Sequence, residues 1–186
     1  VTRDFLSPSY LAPTLVMVVQ PKLFLDTPAV RDGIAVMTMP DLRWKRRDIK
    51  SVGLLAQAMA KHAAHAQGAQ EAWLVEDGFV TEGASSTAFI LTDEGIVTRP
   101  YSEAVLAGCT ALALTQLARE SGIAVVRRAF TVAEALKAGE AFITSASTLC
   151  QSVVRIDGQA IGDGRPGPMA MRLRALYIEF ARATGV

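Results

Sequence analysis

The chain has 186 residues, 51% of them hydrophobic and 20% charged, and a formal net charge of +1. That length supports one sizeable core, and so small a net charge leaves no basic excess for a phosphate backbone, which argues against a nucleic-acid binder. No apolar run reaches the roughly 18–20 residues of a membrane span, and the two cysteines, Cys109 and Cys150, read as reduced thiols of a cytoplasmic protein rather than a disulfide scaffold. The chain opens Val1-Thr2-Arg3-Asp4 with no initiator Met and no signal-peptide pattern, and reads as a piece that begins mid-protein.

In chain order, Leu15-Val16-Met17-Val18-Val19 between Pro13 and Pro21 predicts a buried strand. Pro21 to Asp32 shows no period and reads as a surface connection. Gly33 to Met39 predicts a second strand, ended by Pro40. From Ser51 to Gln67 the apolar Leu54, Leu55, Ala58, Met59 and Ala63 recur at helical spacing, with Ser51 placed to cap the start and Gly68 the end. Ala72 to Val75 leads into Asp77-Gly78, a hairpin signal. Ala88 to Leu91 leads through Asp93-Glu94-Gly95 to Ile96-Val97. Thr110 to Ser121 predicts an amphipathic helix closed by Gly122, followed by a strand at Ile123 to Val126, a short helix at Val132 to Lys137 and a strand at Ala141 to Thr144. Val153 to Ile156 with Asp157-Gly158 predicts one more hairpin, and Pro168 to Ala183 a terminal helix. Strands and helices interleave without a strict βαβ beat. The expected class is α+β, a mixed β-barrel-like sheet with helices packed outside.

Four stretches could carry chemistry. Lys50 follows Arg46-Arg47-Asp48-Ile49. By position alone it is a solvated residue before a helix. As an imine-forming amine it must be partly uncharged, a state that Arg43, Arg46 and Arg47 nearby would favour. Glu82 lies in Val80-Thr81-Glu82-Gly83-Ala84-Ser85-Ser86-Thr87, either as a turn carboxylate or as a buried partner for a cationic ring nitrogen. Ala107-Gly108-Cys109-Thr110 opens a helix whose free N–H groups attract phosphate, and Thr144-Ser145-Ala146-Ser147-Thr148 is a hydroxyl-rich run after an apolar strand. His62 and His65 share a helix face but lack companions at zinc spacing, so they read as solvated. Trp44 and Trp73 read as packing residues.

Taken together and in order, these stretches resemble the fold-type IV pyridoxal-phosphate (PLP) enzymes, D-amino-acid aminotransferases above all. Asp41 to Ser51 is similar to that family's lysine segment, Val80 to Thr87 to its glutamate loop, and Leu106 to Thr110 with Ile143-Thr144-Ser145 to its phosphate loops. The resemblance implies that the chain is the large PLP-binding domain, residues 1–186, without the smaller N-terminal domain. It implies that Lys50 carries the cofactor as a Schiff base and moves the proton. Glu82 would pair with the pyridine nitrogen, Arg43 would contact the phenolic oxygen, and Leu106 would lie against the ring. Gly108, Cys109, Thr110 and Ser145 would hold the phosphate, with Ser86 and Ala146 among the further contacts. The substrates implied are an amino acid, D favoured, or an amine, and a 2-oxo acid, and the assembly implied is a homodimer. Rival readings are a branched-chain L-amino-acid aminotransferase, an aminodeoxychorismate-lyase-like enzyme, and a non-catalytic remnant of the fold.

The chain departs from the pattern in several places. Ala146 stands where the D-amino-acid enzymes tend to carry a second hydroxyl, and Ala111-Leu112 where the family usually has Arg-Asp. Pro8 and Tyr10 occupy the positions of its usual Arg-x-His. A substrate carboxylate prefers a fixed arginine. The expectation is therefore weak binding of simple D-amino acids such as D-alanine, and readier acceptance of bulkier D-amino acids or primary (R)-amines.

Overall fold

The computed structural model describes residues 5, 6, 10 and 12–185. Its elements are α1 (Pro28–Asp32), β1 (Ile34–Pro40), α2 (Leu55–Ala66), β2 (Glu71–Glu76), β3 (Phe79–Gly83), β4 (Thr87–Thr92), β5 (Gly95–Thr98), α3 (Cys109–Glu120), β6 (Val125–Arg127), α4 (Val132–Lys137), β7 (Glu140–Ser145), β8 (Leu149–Ile156), β9 (Gln159–Ala160) and α5 (Pro168–Thr184). Asp77 (φ 53°) and Gly78 (φ 81°) both take left-handed backbone, the conformation a two-residue hairpin between β2 and β3 demands.

The nine strands among the described residues join one mixed sheet in the order β3-β2-β1-β8-β7-β4-β5-β6, with β9 paired to β8. β1 runs parallel to β2 and β8, and β5 parallel to β6; the remaining pairs are antiparallel. The sheet curls until its two ends meet. Phe79 of β3 bridges to Thr131, just past β6, and the Val80 N–H donates to the Phe130 carbonyl at 3.0 Å. Alternate side chains then face the inside and the outside of the curl. Val36, Trp73, Val80, Ile90, Val97 and Ile143 fill the inside of the curl with Phe130 and with Ala135 of α4. Phe89, Phe142, Leu114 and Leu173 pack α3 and α5 against the outside. The expected α+β, barrel-like architecture is the one observed, with α2, α3 and α5 packed outside and α4 contributing to the inner core.

Three local expectations fail. Leu15 to Val19 form no strand and are 77–92% exposed, because no described segment lies alongside to pair with them. Ser51 caps nothing: α2 starts at Leu55, and its small residues Ala60 and Ala64 face the sheet while Leu54, Leu55 and Met59 stay exposed. Trp44 is exposed rather than packed, whereas Trp73 is fully buried edge-on to Phe130. Alanine permits a close approach of helix to strand, and the alanine stripe of α2 is the face that makes the contact.

α5 begins Gly167-Pro168 with no cap from its own first residues. The Glu140 carboxylate of β7 supplies one, accepting from Met169 N–H at 2.8 Å and Ala170 N–H at 2.9 Å. A carboxylate here also complements the positive end of the helix dipole. Glu140→Ala should lower unfolding free energy by about 1–3 kcal/mol, the combined scale of a lost cap and a stranded donor. The check is a fall in urea midpoint at unchanged m value; an unmoved midpoint would mean that water caps the helix equally well.

Candidate active site

The segment 41–50 has no regular structure and is held by charge. Arg43 donates from Nε at 2.9 Å and Nη2 at 2.7 Å to Asp41, and from Nη1 to Glu82. Thr81 Oγ1 donates to Asp41 at 2.6 Å. Arg47, also buried, pairs with Glu76 at 2.7 and 2.9 Å and lies 3.4 Å from Asp41; Lys45 pairs with Glu76 as well. Arg46 binds Asp48 and approaches Glu103. Each of the three arginines thus has its own carboxylate, so the loop is not the bare cluster of positive charge that the sequence suggests.

These pairings set the ionisation of the group. Burial pushes the Asp41 carboxyl up, but the hydrogen bonds from Arg43 and Thr81 and the two guanidinium charges hold it below the ordinary range. Burial disfavours the Arg43 charge, and Asp41 and Glu82 more than restore it. Hydrogen bonds from Arg47 and Lys45 bring Glu76 down to about 2. Glu82 moves the other way: burial raises it, and Arg43 recovers only part of that shift.

Glu82 is where the segments converge. It is buried on β3, where the register against β2 shifts between Val80 and Gly83. One carboxylate oxygen binds Arg43 and the other accepts the Leu106 N–H at 3.2 Å. The Arg47 N–H donates to the Glu103 carbonyl at 2.8 Å, joining the lysine loop to the segment that leads to Leu106. Lys50 ends that loop exposed, with no hydrogen bond or ion pair to any described residue.

A second convergence lies at the start of α3. Gly108 is its N-cap and offers no side-chain bond, so the first N–H groups of the helix are free of a cap. Thr87 and Thr144 face each other across β4 and β7, and a Cβ built on Gly108 would sit 3.2 Å from Thr87 Oγ1. Thr110 (2% exposed) and Thr144 (1% exposed) have buried hydroxyls with no partner among the described residues. Buried hydroxyls are nearly always bonded, so two orphans beside an uncapped helix of twelve residues suit an anion with several oxygens. Ser145 spends its hydroxyl on the turn before β8, 2.7 Å from Thr148 Oγ1, and Ala146 is exposed.

Of the residues singled out in the sequence, the fold therefore brings Arg43, Glu82 and Leu106 together. It sets Gly108, Cys109 and Thr110 beside the β4–β7 pair. Ser86 turns away, donating to Glu71 at 3.2 Å. The tie from Asp41 to Arg43, Thr81 and Arg47 was missed, although an aspartate two residues before an arginine in an irregular segment is a local signal for it. The orphan hydroxyl of Thr144 had no signal beyond the hydroxyl-rich run that contains it. Pro8 lies outside the described residues.

A family model described as amino-transferase class IV matches residues 1–156. The chain belongs to that class IV amino-transferase family. It is 40% identical over 144 residues to a D-alanine aminotransferase of Bacillus licheniformis, covering 77% of this chain and 51% of that protein. A D-alanine aminotransferase of Staphylococcus haemolyticus is 36% identical over 145 residues, with 78% and 51% covered. The fold is similar to the T.th. branched-chain amino acid aminotransferase with pyridoxamine 5'-phosphate, at TM-score 0.78 and 30% identity over 86% of this chain and 54% of that one. In the complex of that enzyme with N-(5'-phosphopyridoxyl)-L-glutamate the TM-score is 0.74, at 31% identity over 81% and 52%. The chain spans about half the length of the curated relatives it matches. No helix among the described residues is long and apolar enough to cross a membrane.

Proposed function

We propose that this chain is the pyridoxal 5'-phosphate-bearing part of an aminotransferase that moves an amino group between an amino acid, D favoured, and a 2-oxo acid. The observation that carries the reading is Glu82, a buried carboxylate on β3, held between the lysine loop and the Leu106 N–H. The cofactor, when bound, supplies an electron sink for the carbanion formed at the substrate Cα. Lys50 would hold it covalently and move the proton, since its amine has no competing partner among the described residues. Glu82 would keep a proton on the ring nitrogen, because a carboxylate raised by burial gains most from facing a cation there. The free N–H groups of α3 with Thr110 and Thr144 would bind the phosphate. Arg43, with its donors on Asp41, Thr81 and Glu82, serves better to orient Glu82 than to reach the phenolic oxygen. A homodimer is supported by the exposed apolar side chains Leu42, Trp44, Ile49, Leu54, Leu55 and Met59 in and after the lysine loop. Two free thiols suit a reducing cytoplasm.

Titration with pyridoxal phosphate should turn the protein yellow. kcat/KM should then be measured for D-alanine, D-phenylalanine, L-leucine and (R)-1-phenylethylamine with a 2-oxo acid acceptor. The expected order puts D-phenylalanine or the (R)-amine above D-alanine, with L-leucine poor. High efficiency confined to small D-amino acids would contradict the expected weak carboxylate site. Preference for L-leucine would place the protein with its branched-chain structural neighbours, pyruvate release without an acceptor would indicate a lyase, and no visible absorbance a remnant.

A further inference from the structure

Glu71 opens β2 and is 3% exposed, yet nothing in the reaction proposed above uses it. Its carboxylate accepts from Ser85 Oγ at 2.6 Å, Ser86 Oγ at 3.2 Å and the Ala72 N–H at 2.9 Å. Lys61 of α2 donates to Ser85 Oγ at 3.0 Å and stands 3.7 Å from Glu71. Both serines belong to the turn Gly83 to Ser86, closed by the Gly83 N–H on the Ser86 carbonyl at 2.7 Å. A Cβ at residue 83 would fall 2.0 Å from Ser86 Oγ, so only glycine lets that hydroxyl cross the turn toward Glu71. The turn directly follows Glu82 and directly precedes Thr87. Moving it would strand a buried carboxylate without its donors, a costly state.

We propose that Glu71 is a positioning residue: through Ser85 and Ser86 it fixes the turn that joins Glu82, at the ring-nitrogen end of the site, to Thr87, at the phosphate end. Glu71 acts through these neighbours and sets the direction from which Glu82 enters. The proposal rests on the reading of Glu82 given above.

Its first test needs no cofactor. The Leu106 amide is bonded to Glu82, so its hydrogen exchange reports how well Glu82 is held. In the 186-residue chain, Glu71→Ala should speed that exchange roughly tenfold relative to the Met169 and Ala170 amides, which report the distant Glu140 cap. Glu71→Gln keeps a carbonyl acceptor and should restore most of the protection, and Ser86→Ala should fall between. In the loaded protein the same variants should lower kcat with KM nearly constant. They should also shift the pH midpoint of the visible absorbance in the direction seen for Glu82→Gln. Leu106 exchange no faster than the two reference amides would overturn the proposal, and Ser86→Ala decides by the same criterion if Glu71→Ala does not fold. Unchanged turnover in Glu82→Gln would instead remove the reading beneath it. A changed Glu82→Gln beside unmoved Glu71 variants would sink this proposal alone.

Discussion

Lys50→Ala should abolish the borohydride-trappable adduct with pyridoxal phosphate while leaving the unfolding midpoint unchanged. The side chain is exposed and binds no described residue, so truncation removes no packing and strands no partner. Lys45 and Lys61, by contrast, are engaged with Glu76 and with Glu71 and Ser85. An amine not engaged by any described residue is free to condense with an aldehyde and afterwards to carry a proton. Turnover should fall by about a thousandfold or more, the order expected when a group that acts covalently is removed. Peptide mapping of the reduced adduct is the check: label on Lys22, Lys45, Lys61 or Lys137 would reject the assignment.

Glu82→Gln should reduce turnover by ~10²–10³, the scale on which losing one preorganised electrostatic group acts. The amide keeps the shape, can still accept the Leu106 N–H, and leaves Arg43 its two bonds to Asp41. The negative charge that would hold a proton on the ring nitrogen is what disappears. Cofactor affinity should weaken far less than kcat, since the phosphate end is untouched. Equal losses in both would mean that Glu82 chiefly anchors the cofactor.

The strands and most helices were legible because their signals are local. Asp77-Gly78 and Asp157-Gly158 mark hairpins that form as read, and the periodic segment from Thr110 becomes α3. Leu15 to Val19 misled because a continuous apolar run records only that burial suits it. Whether it is buried depends on a neighbour that the run itself cannot name. α2 misled in the opposite sense, since helical spacing identifies a stripe but not whether large or small side chains win the contact. In the site, the order of the segments pointed to Glu82 and Leu106. That Ser86 would be drawn to Glu71, that Asp41 would share Thr81 with Arg43, and that Thr144 would be left unbonded are consequences of contacts between residues far apart in the chain. No short window along the sequence contains them.

The strands beneath the proposed phosphate end also carry the outer core. Thr87 and Phe89 project from the same face of β4, and Thr144 and Phe142 from the same face of β7, so the facing threonines stand one pleat beyond the facing phenylalanines. The two rings stack 4.9 Å apart and within 5° of parallel, fully buried. A close-packed aromatic pair of this kind resists compression and slip. The hydroxyls are therefore mounted on a stiff footing: the β4–β7 ladder sets their spacing, and the aromatic stack below braces the same pair of strands. The firmness of anion recognition at this end is then inherited in part from hydrophobic packing, and substitutions made for the volume of the core would be felt as looser binding groups.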